Sequence, residues 1–595
     1  MTAPARQAEA RAFLKVERSL TGRKWRVREA DDALAEAHRR QSGLPEIAAR
    51  LLAARGVKLE DAKGFLAPTL RDFFPNPSSF QDMDRAAGVI DAAIHDGRAC
   101  AVFADYDVDG GTSAALLTRY FRARGRDLRI YVPDRMAEGY GPSAAAFARL
   151  KAEGCQLVIT VDCGAAAYEA LEAAAGIGLD VVVIDHHLMH GPPPPSLACV
   201  NPNRMDDTSG QGHLTAAGVV LVLLAALNRE ARAKGSFGAN HLPDLMAWLD
   251  LSALGTVCDV APLTGFNRAV VAQGLKVLAR KEKAGVRALA EVAGRPNLGQ
   301  VYDLGFVLGP RLNAGGRIGD SSLAARLLST EDEAEAAEIA EKLDALNTER
   351  RRYEAEMLAD AAIEAEAQAK TRPLVIVGRP DWHPGVIGVA AGRLKEQLMK
   401  PVIVLGGEGA HAKGSGRSIG GVNLGAAVAA AAKAGVLLAG GGHAMAAGLT
   451  VEWARVDELR DFLSEALQRE TVAAEGEART LWIDAVAGVP AVDLPLIDAM
   501  DRIGPYGPGH AEPVFALADV TIGFAKLVGT DHVRCTLQNA GGVKISAIAF
   551  RAAKNALGEA LLKREGPLHV AVKLKRNAYG GTERAEAEIL DAARA

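Results

Sequence analysis

Residues 100–113 read CAVFADYDVDGGTS. The first five are small or apolar without interruption, the mark of a strand buried on both faces. The run stops at Asp105, and Asp105, Asp107 and Asp109 then alternate ahead of a glycine pair that opens a helical stretch. The texture recurs downstream. Arg129–Val132, Leu157–Val161 and Val181–Ile184 each read as a short buried strand, with helix-like Ala144–Lys151 and Tyr168–Ala175 between them. Strand–helix alternation at this spacing predicts a mostly parallel sheet with helices on its faces. Open sheets of that kind place ligands beyond the carboxyl ends of their strands.

Acidic residues stand where such a sheet would use them. Asp162 follows LVITV, Asp185-His186-His187 follow VVVI, and Asp259 lies in ALGTVCDVAPL. If the strands are neighbours, several carboxylates and two imidazoles meet at one edge. Two like charges ~4 Å apart repel by about 4 kcal/mol at an effective dielectric of 20, so such a cluster calls for cations. Oxygen-rich ligation with one or two imidazoles suits Mn²⁺ or Mg²⁺ better than zinc, which prefers Cys and His. The bland reading is that an Asp after a strand is a turn residue or helix cap. DxDG also opens calcium loops, but the position that should carry their Glu is Leu116. Several such events on one sheet edge favour the metal. Cys163 and Cys258 adjoin two of the aspartates and read as small buried neighbours.

The rest of the chain bounds the answer. At 595 residues it is too long for one core. Its 69 basic and 73 acidic residues leave a net charge of −4, which argues against coating nucleic acid but allows a local basic groove. Six scattered cysteines without a CxxC pair suggest a reduced, cytoplasmic protein. No apolar leader is visible, and the longest apolar run, Ala216–Leu227, reads as a buried helix rather than a membrane span. The first 40 or so residues are charged and weakly periodic, predicting a loose or peripheral arm, followed by two short helices around Gly56. After Gly319 comes a polar helical stretch to about Lys370, with Thr330 and Glu333 at capping-box spacing. Unbroken, it would span about 60 Å and bridge two domains. Leu374–Val377 and Val402–Leu405 open a second, glycine-rich α/β unit. Val514–Ala518, Val533–Leu537, Val543–Phe550 and His569–Leu574 predict a small β-barrel.

DYDVDG, VDCG, DHH and TVCDVAPL resemble the four signature motifs of the DHH phosphoesterase superfamily. GPRLNAGGR, DWHPGVIG, KGSGRS and GGGHAMAAG resemble its RecJ branch, from about Leu44 to the C-terminus. The resemblance implies an α/β fold, with a DHH parallel-sheet domain joined by a long helix to a smaller α/β DHHA1 domain, plus a C-terminal OB-like β-barrel. The expected division is an arm with small helices over 1–80, the DHH domain over 81–320, the helix over 321–370, DHHA1 over 371–500 and the barrel over 501–595. It further implies two ions, one held by Asp107 and Asp162, the other by Asp109, Asp162, His186 and Asp259. Asp105 would support the site and His187 would face the scissile phosphate. The superfamily's pyrophosphatases carry a His four residues before the Asp107 position; here Phe103 stands there, leaving the first ion fewer ligands.

The activity implied is 5′→3′ hydrolysis of single-stranded DNA in repair and recombination, with single-strand-binding protein and helicases as protein partners and no membrane. The rival readings are a phosphodiesterase for short oligoribonucleotides or cyclic dinucleotides, and a non-catalytic DHH scaffold. The scaffold relatives lose carboxylates that this chain keeps.

For the substrate, KGSGRS and Gly440–His443 read as flexible donor loops, with Ser415, Arg417, Gly442 and His443 as phosphate contacts. The resemblance places a terminal 5′-phosphate among them. Arg311, Asn313 and Arg317 add donors on the first domain's side. Residues 521–595 hold 12 Lys and Arg against 7 Asp and Glu, a surplus of 5. With Phe515, Phe524, Phe550 and above all Tyr579 as stacking faces, the barrel reads as a single-strand groove.

Overall fold

The structure, a computed structural model, describes residues 12–135, 137–189, 191–236, 242–577 and 582–595. They group into two compact units: residues 68–359 with 505–511, and the segments up to 67, 360–504 and 512–595.

The first unit is built on five parallel strands, β1 (Cys100–Ala104), β2 (Arg129–Tyr131), β3 (Leu157–Val161), β4 (Asp180–Ile184) and β5 (Ala198–Val200), in the order β2-β1-β3-β4-β5. The three-residue β5 escapes sequence reading. Every residue of β1 and β3 is buried, as their unbroken apolar runs require. Side chains alternate between the faces. Val102, Ala104, Ile159, Val161, Val182 and Ile184 pack on one side against helices Met83–His95, Val108–Ala123 and Ala216–Lys234. Phe103, Val158, Val181 and Val183 pack on the other against Ala144–Ala152 and Tyr168–Gly176. The apolar run Ala216–Leu227 is therefore the buried stretch of a layer helix.

The register does the positioning. Ala104 pairs with Val161, Val161 with Ile184, and Ile184 with Val200. The next residues, Asp105, Asp162, Asp185 and Asn201, thus leave the sheet side by side.

The second unit contains a mixed sheet of β6 (Val375–Gly378), β7 (Val402–Gly406), β8 (His411–Arg417), β9 (Ala439–His443) and β10 (Ala446–Glu452), ordered β9-β10-β8-β7-β6. The glycine-rich segments expected as loops are strands. HAKGSGR alternates: Ala412, Gly414 and Gly416 point inward while Lys413, Ser415 and Arg417 point out. The inner glycines follow from close packing; Leu449 fills the place a Gly414 side chain would take. Gly440–His443 form the edge strand β9.

The C-terminal region closes as a barrel, β11 (Ala485–Val486), β12 (Phe515–Val528), β13 (His532–Gln538), β14 (Lys544–Ala549), β15 (Leu568–Asn577) and β16 (Arg584–Arg594), ordered β11-β12-β13-β14-β16-β15 with β12 also pairing β15. Phe515 is core, whereas Phe524 and Phe550 are half exposed. Tyr579 lies outside the described residues.

Two further expectations change. From residue 12 the N-terminal segment is not a loose arm. Lys24–Val27 pairs in parallel with Thr480–Ile483, and Trp25 is fully buried, its Nε1 donating to Asp591 Oδ2 at 2.8 Å. Asp31 then caps helix Asp32–Ser42. Local periodicity could not report this, because the partners lie at the far end of the chain. Trp25→Phe, which leaves Asp591 short of a donor, is expected to destabilise this unit by about 1–3 kcal/mol, read as a lowered Tm. An unchanged Tm would mean the hydrogen bond contributes nothing.

The long helix, Glu333–Thr371, runs 39 residues unbroken, about 58 Å at 1.5 Å per residue. Its cap is not the Thr330–Glu333 box. Asp332 Oδ1 accepts from Ala334 N at 2.8 Å and Glu335 N at 3.0 Å, Thr330 bonds Glu335, and Glu333 pairs with Arg287.

Candidate metal centre

Each acidic side chain has a local reason for its place. Asp107 caps helix Val108–Ala123, its Oδ1 accepting from Asp109 N at 2.8 Å and Gly110 N at 3.1 Å. The turn is so tight that a Cβ at Gly110 would lie 2.3 Å from the Asp105 carbonyl, so the residue after DVD must be glycine. Asp109 is buried and accepts from Ala216 N at 2.6 Å and Ala217 N at 3.0 Å, the first amides of helix Ala216–Lys234. Two helix N-termini thus direct their partial positive charge at carboxylates. Asp162 leaves β3 with φ of +61°, a left-handed conformation that Asp tolerates better than most side chains. Asp259 ends helix Leu249–Cys258.

His186 gathers them. Its Nε2 lies 3.1 Å from Asp162 Oδ1, 3.8 Å from Asp109 Oδ2 and 3.9 Å from Asp259 Oδ2. Three overlapping groups have ligand atoms within 4.8 Å of one another: Asp105, Asp107 and Asp162; Asp109, His186 and Asp259; Asp162, His186 and His187. Asp162 and His186 each belong to two.

The electrostatics fit divalent cations. Burial, and then the neighbouring carboxylates, push Asp109 and Asp162 well above the usual carboxylate range. Burial and the Asp107 charge lift Asp105 to about 8 and Asp259 to about 7. Among the described residues no Lys or Arg comes within ion-pair distance of these four groups, and a buried oxygen of Asp105 has no hydrogen-bond partner. Such a set is strained without cations and matched by them, and its oxygen and imidazole donors suit Mn²⁺ or Mg²⁺. Burial raises the Cys163 and Cys258 thiols, and both donate to backbone carbonyls, as small structural neighbours do.

Of the supporting layer the sequence reading finds Asp185 but not Tyr140, Asn201 or Asn203. Asp185 Oδ1 bonds His187 Nδ1 at 2.7 Å and Oδ2 accepts from Ala165 N at 2.9 Å. Asn201 donates to the His187 carbonyl and Asn203 to that of His186. Tyr140 places its hydroxyl 3.4 Å from His187 Nε2 and 3.3 Å from the Asp162 carbonyl. The DHH motif itself carries the Asp185 signal; Tyr140 sits in a loop with no period to mark it.

The proposed substrate residues fall into two sets. Arg311, Asn313 and Arg317 lie on helix Gly309–Ile318, where Gly316 abuts the Tyr106 carbonyl, beside the acidic turn. Arg311 is partly engaged, bonding Asp344 at 2.8 Å and the Val307 carbonyl at 2.8 Å. In the second unit, Arg417 Nη1 donates to Ser415 Oγ at 3.1 Å, and the two side chains face the first turn of helix Ile387–Leu398. A Cβ at Gly388 would lie 2.9 Å from that Oγ. Gly442 and His443 are on β9.

Comparison with known proteins agrees with this architecture. The DHH family N-terminal domain matches residues 99–256, the DHHA1 domain 371–469 and the RecJ OB domain 483–591. A Dickeya dadantii protein named single-stranded-DNA-specific exonuclease RecJ is 36% identical over 520 residues, covering 85% of this chain and 89% of that protein. The chain belongs to the RecJ family. Bacillus subtilis RecJ is 32% identical across 96% of this chain and 71% of its own. The crystal structure of Thermus thermophilus RecJ in complex with Mn²⁺ superposes with a TM-score of 0.79 at 28% identity, over 96% of this chain and 79% of that one. The Mg²⁺ complex from the same organism gives 0.74 at 27%. The RecJ fold, with its DHH sheet, DHHA1 domain and closed barrel, is therefore the fold of this chain.

Proposed function

We propose that this chain is a metal-dependent exonuclease that hydrolyses single-stranded DNA from the 5′ end, in repair and recombination. The observation that carries the reading is the register-aligned edge of Asp105, Asp162 and Asp185, joined by Asp107, Asp109, His186 and Asp259, within a RecJ-family chain. We assign the chemistry to residues 81–320 and the substrate-holding parts to 371–500 and 501–595.

Asp107 and Asp162 would hold one ion; Asp109, Asp162, His186 and Asp259 would hold the other. When bound, the two cations neutralise charge on the scissile phosphate and ionise the attacking water. The protein's part is to fix geometry and a proton. Helix N-termini hold Asp107 and Asp109 in place, and Asn203 and the Asp185 carboxylate fix the backbone of His186. Burial opposes a charge on His187, but the Asp185 hydrogen bond and charge prevail and lift it to about 9. With Nδ1 committed to Asp185, its Nε2 proton serves an oxygen of the scissile phosphate. Stabilising charge and protonating the leaving oxygen both use that atom.

Ser415 and Arg417, on the outward face of β8, are proposed to hold the terminal phosphate, with Gly442 and His443 beside them. Arg417→Ala is expected to weaken use of 5′-phosphorylated strands by about 1.5–3 kcal/mol in kcat/KM, with 5′-hydroxyl strands affected less. Equal losses on both would place Arg417 elsewhere. Phe524 and Phe550 replace Phe515 as the barrel's candidate stacking faces. Single-strand-binding protein and repair helicases are the proposed partners and the cytoplasm the proposed location. No helix among the described residues is long and apolar enough to cross a membrane.

The test is direct. Purified protein with Mn²⁺ is given 5′- and 3′-labelled single and double strands of DNA and RNA. Release of the 5′ label as mononucleotide from single-stranded DNA, with duplex spared, is the expected result. Degradation from the 3′ end, or of duplex equally, overturns the reading.

A further inference from the structure

We infer that Tyr302 and Phe306 form a stacking platform for bases of the bound strand, beside the metal centre. The inference rests on the single-strand nuclease reading and adds a base contact to a site otherwise built for phosphate.

Both rings are largely exposed, at 56% and 66%, yet they lie nearly parallel, with centroids 5.3 Å apart and planes 18° from each other. Exposed aromatic side chains lack a packing reason for such order, and these owe it to the backbone beneath. Tyr302 precedes and Phe306 belongs to a turn of π-helix, Asp303–Leu308, that runs on into helix Gly309–Ile318. Leu304 and Leu308 are fully buried, and the buried Asp303 carboxylate accepts from Gly299 N, Gln300 N and Arg295 Nε at 2.9–3.0 Å. The turn is thus bolted down on one face while it holds two rings out on the other.

Its buried side locates it. The Leu304 carbonyl accepts from Cys258 Sγ at 3.6 Å, and Cys258 immediately precedes Asp259, one of the carboxylates around His186. The π-helical turn therefore packs against the end of the helix that delivers Asp259, and the rings project from its other face. Arg295, ion-paired with Asp303 at 3.0 Å, lies over the Tyr302 ring at 6.0 Å. A rigid pair of exposed aromatic rings suits nucleobases, each of which offers a flat face whatever its sequence. A strand running from the metals across this turn would set bases on Tyr302 and Phe306. A protein partner burying the same rings is the competing occupant.

Binding of a 5′-phosphorylated oligothymidylate to the full-length chain, with Ca²⁺ in place of Mn²⁺, is followed by fluorescence anisotropy while a single abasic residue is moved along the strand. Wild type is expected to lose about 5- to 100-fold in affinity when the abasic residue occupies one or two adjacent positions. Tyr302→Ala with Phe306→Ala should weaken the intact strand by a similar factor and flatten that profile. A wild-type profile without a local minimum overturns the platform, as does a double variant that keeps the same profile; either points to the protein-partner surface. The wild-type scan decides even if the variant fails to fold. Wild type that binds with the local minimum but releases no nucleotide in Mn²⁺ leaves the platform standing and removes the nuclease reading. Wild type that binds no strand removes both.

Discussion

Replacing Asp162 is expected to lower Mn²⁺-dependent strand cleavage by at least on the order of 10³-fold, the scale of losing preorganised charge at a developing phosphoryl centre. No other carboxylate belongs to two of the three ligand groups, so its loss disturbs both proposed ions at once. Alanine alone would confuse the result, because φ at this position is +61° and alanine tolerates it poorly. The substitution that separates charge from strain is Asp162→Asn, since asparagine keeps the shape and accepts left-handed backbone. Without metal this variant should melt at about the same temperature, since burial and the neighbouring carboxylates already favour the neutral form of Asp162. The stabilisation that Mn²⁺ confers on wild type should vanish with the activity. Near-wild-type turnover in a folded Asp162→Asn protein would sink the two-ion assignment.

Asp185→Asn should be almost as damaging by a different route. The ion ligands stay, so Mn²⁺ should still raise the melting temperature. What is lost is the carboxylate that orients His187 and keeps it charged. His187, the proposed acid, stays but is misoriented and more easily deprotonated, so kcat should fall by up to about 10²–10⁴, the scale of general acid catalysis, with little effect on KM. The pH profile carries the sign. In the proposed role His187 acts protonated, and the Asp185 hydrogen bond and charge lift it to about 9 against burial. Without that charge the imidazole releases its proton at lower pH, so the alkaline limb should move toward acid. An unchanged limb would make Asp185 a merely structural residue.

The metal edge is legible because strand and ligand are adjacent in sequence: a buried run ends, and the acid follows. Asp105, Asp162 and Asp185 need only the register to become neighbours. Where the information is non-local, it is not legible. Trp25 looks like one apolar residue in a charged arm because its strand partner is Thr480–Ile483. Where glycine carries the pattern, alternation hides, and β8 reads as a loop although its inward residues are Ala412, Gly414 and Gly416. Capping rests on which oxygen reaches the free amides, and Asp332 reaches them ahead of Thr330. Tyr140 and the Tyr302–Phe306 pair belong to irregular or π-helical backbone, for which periodicity offers no template.

The Trp25–Asp591 bond joins residues 566 apart in the chain. A ribosome adds about 5–20 residues per second, so Trp25 leaves it roughly half a minute to two minutes before its partner is made. Until residues 480–483 are made the strand Lys24–Val27 has no partner, and until Asp591 is made the buried Trp25 indole lacks its acceptor. The sheet of the first unit, whose strands all lie within residues 100–200, can close long before. Synthesis therefore completes the acidic sheet edge early and the barrel last, and a nascent chain stalled before residue 591 would carry that edge already formed while Trp25 still lacks its acceptor.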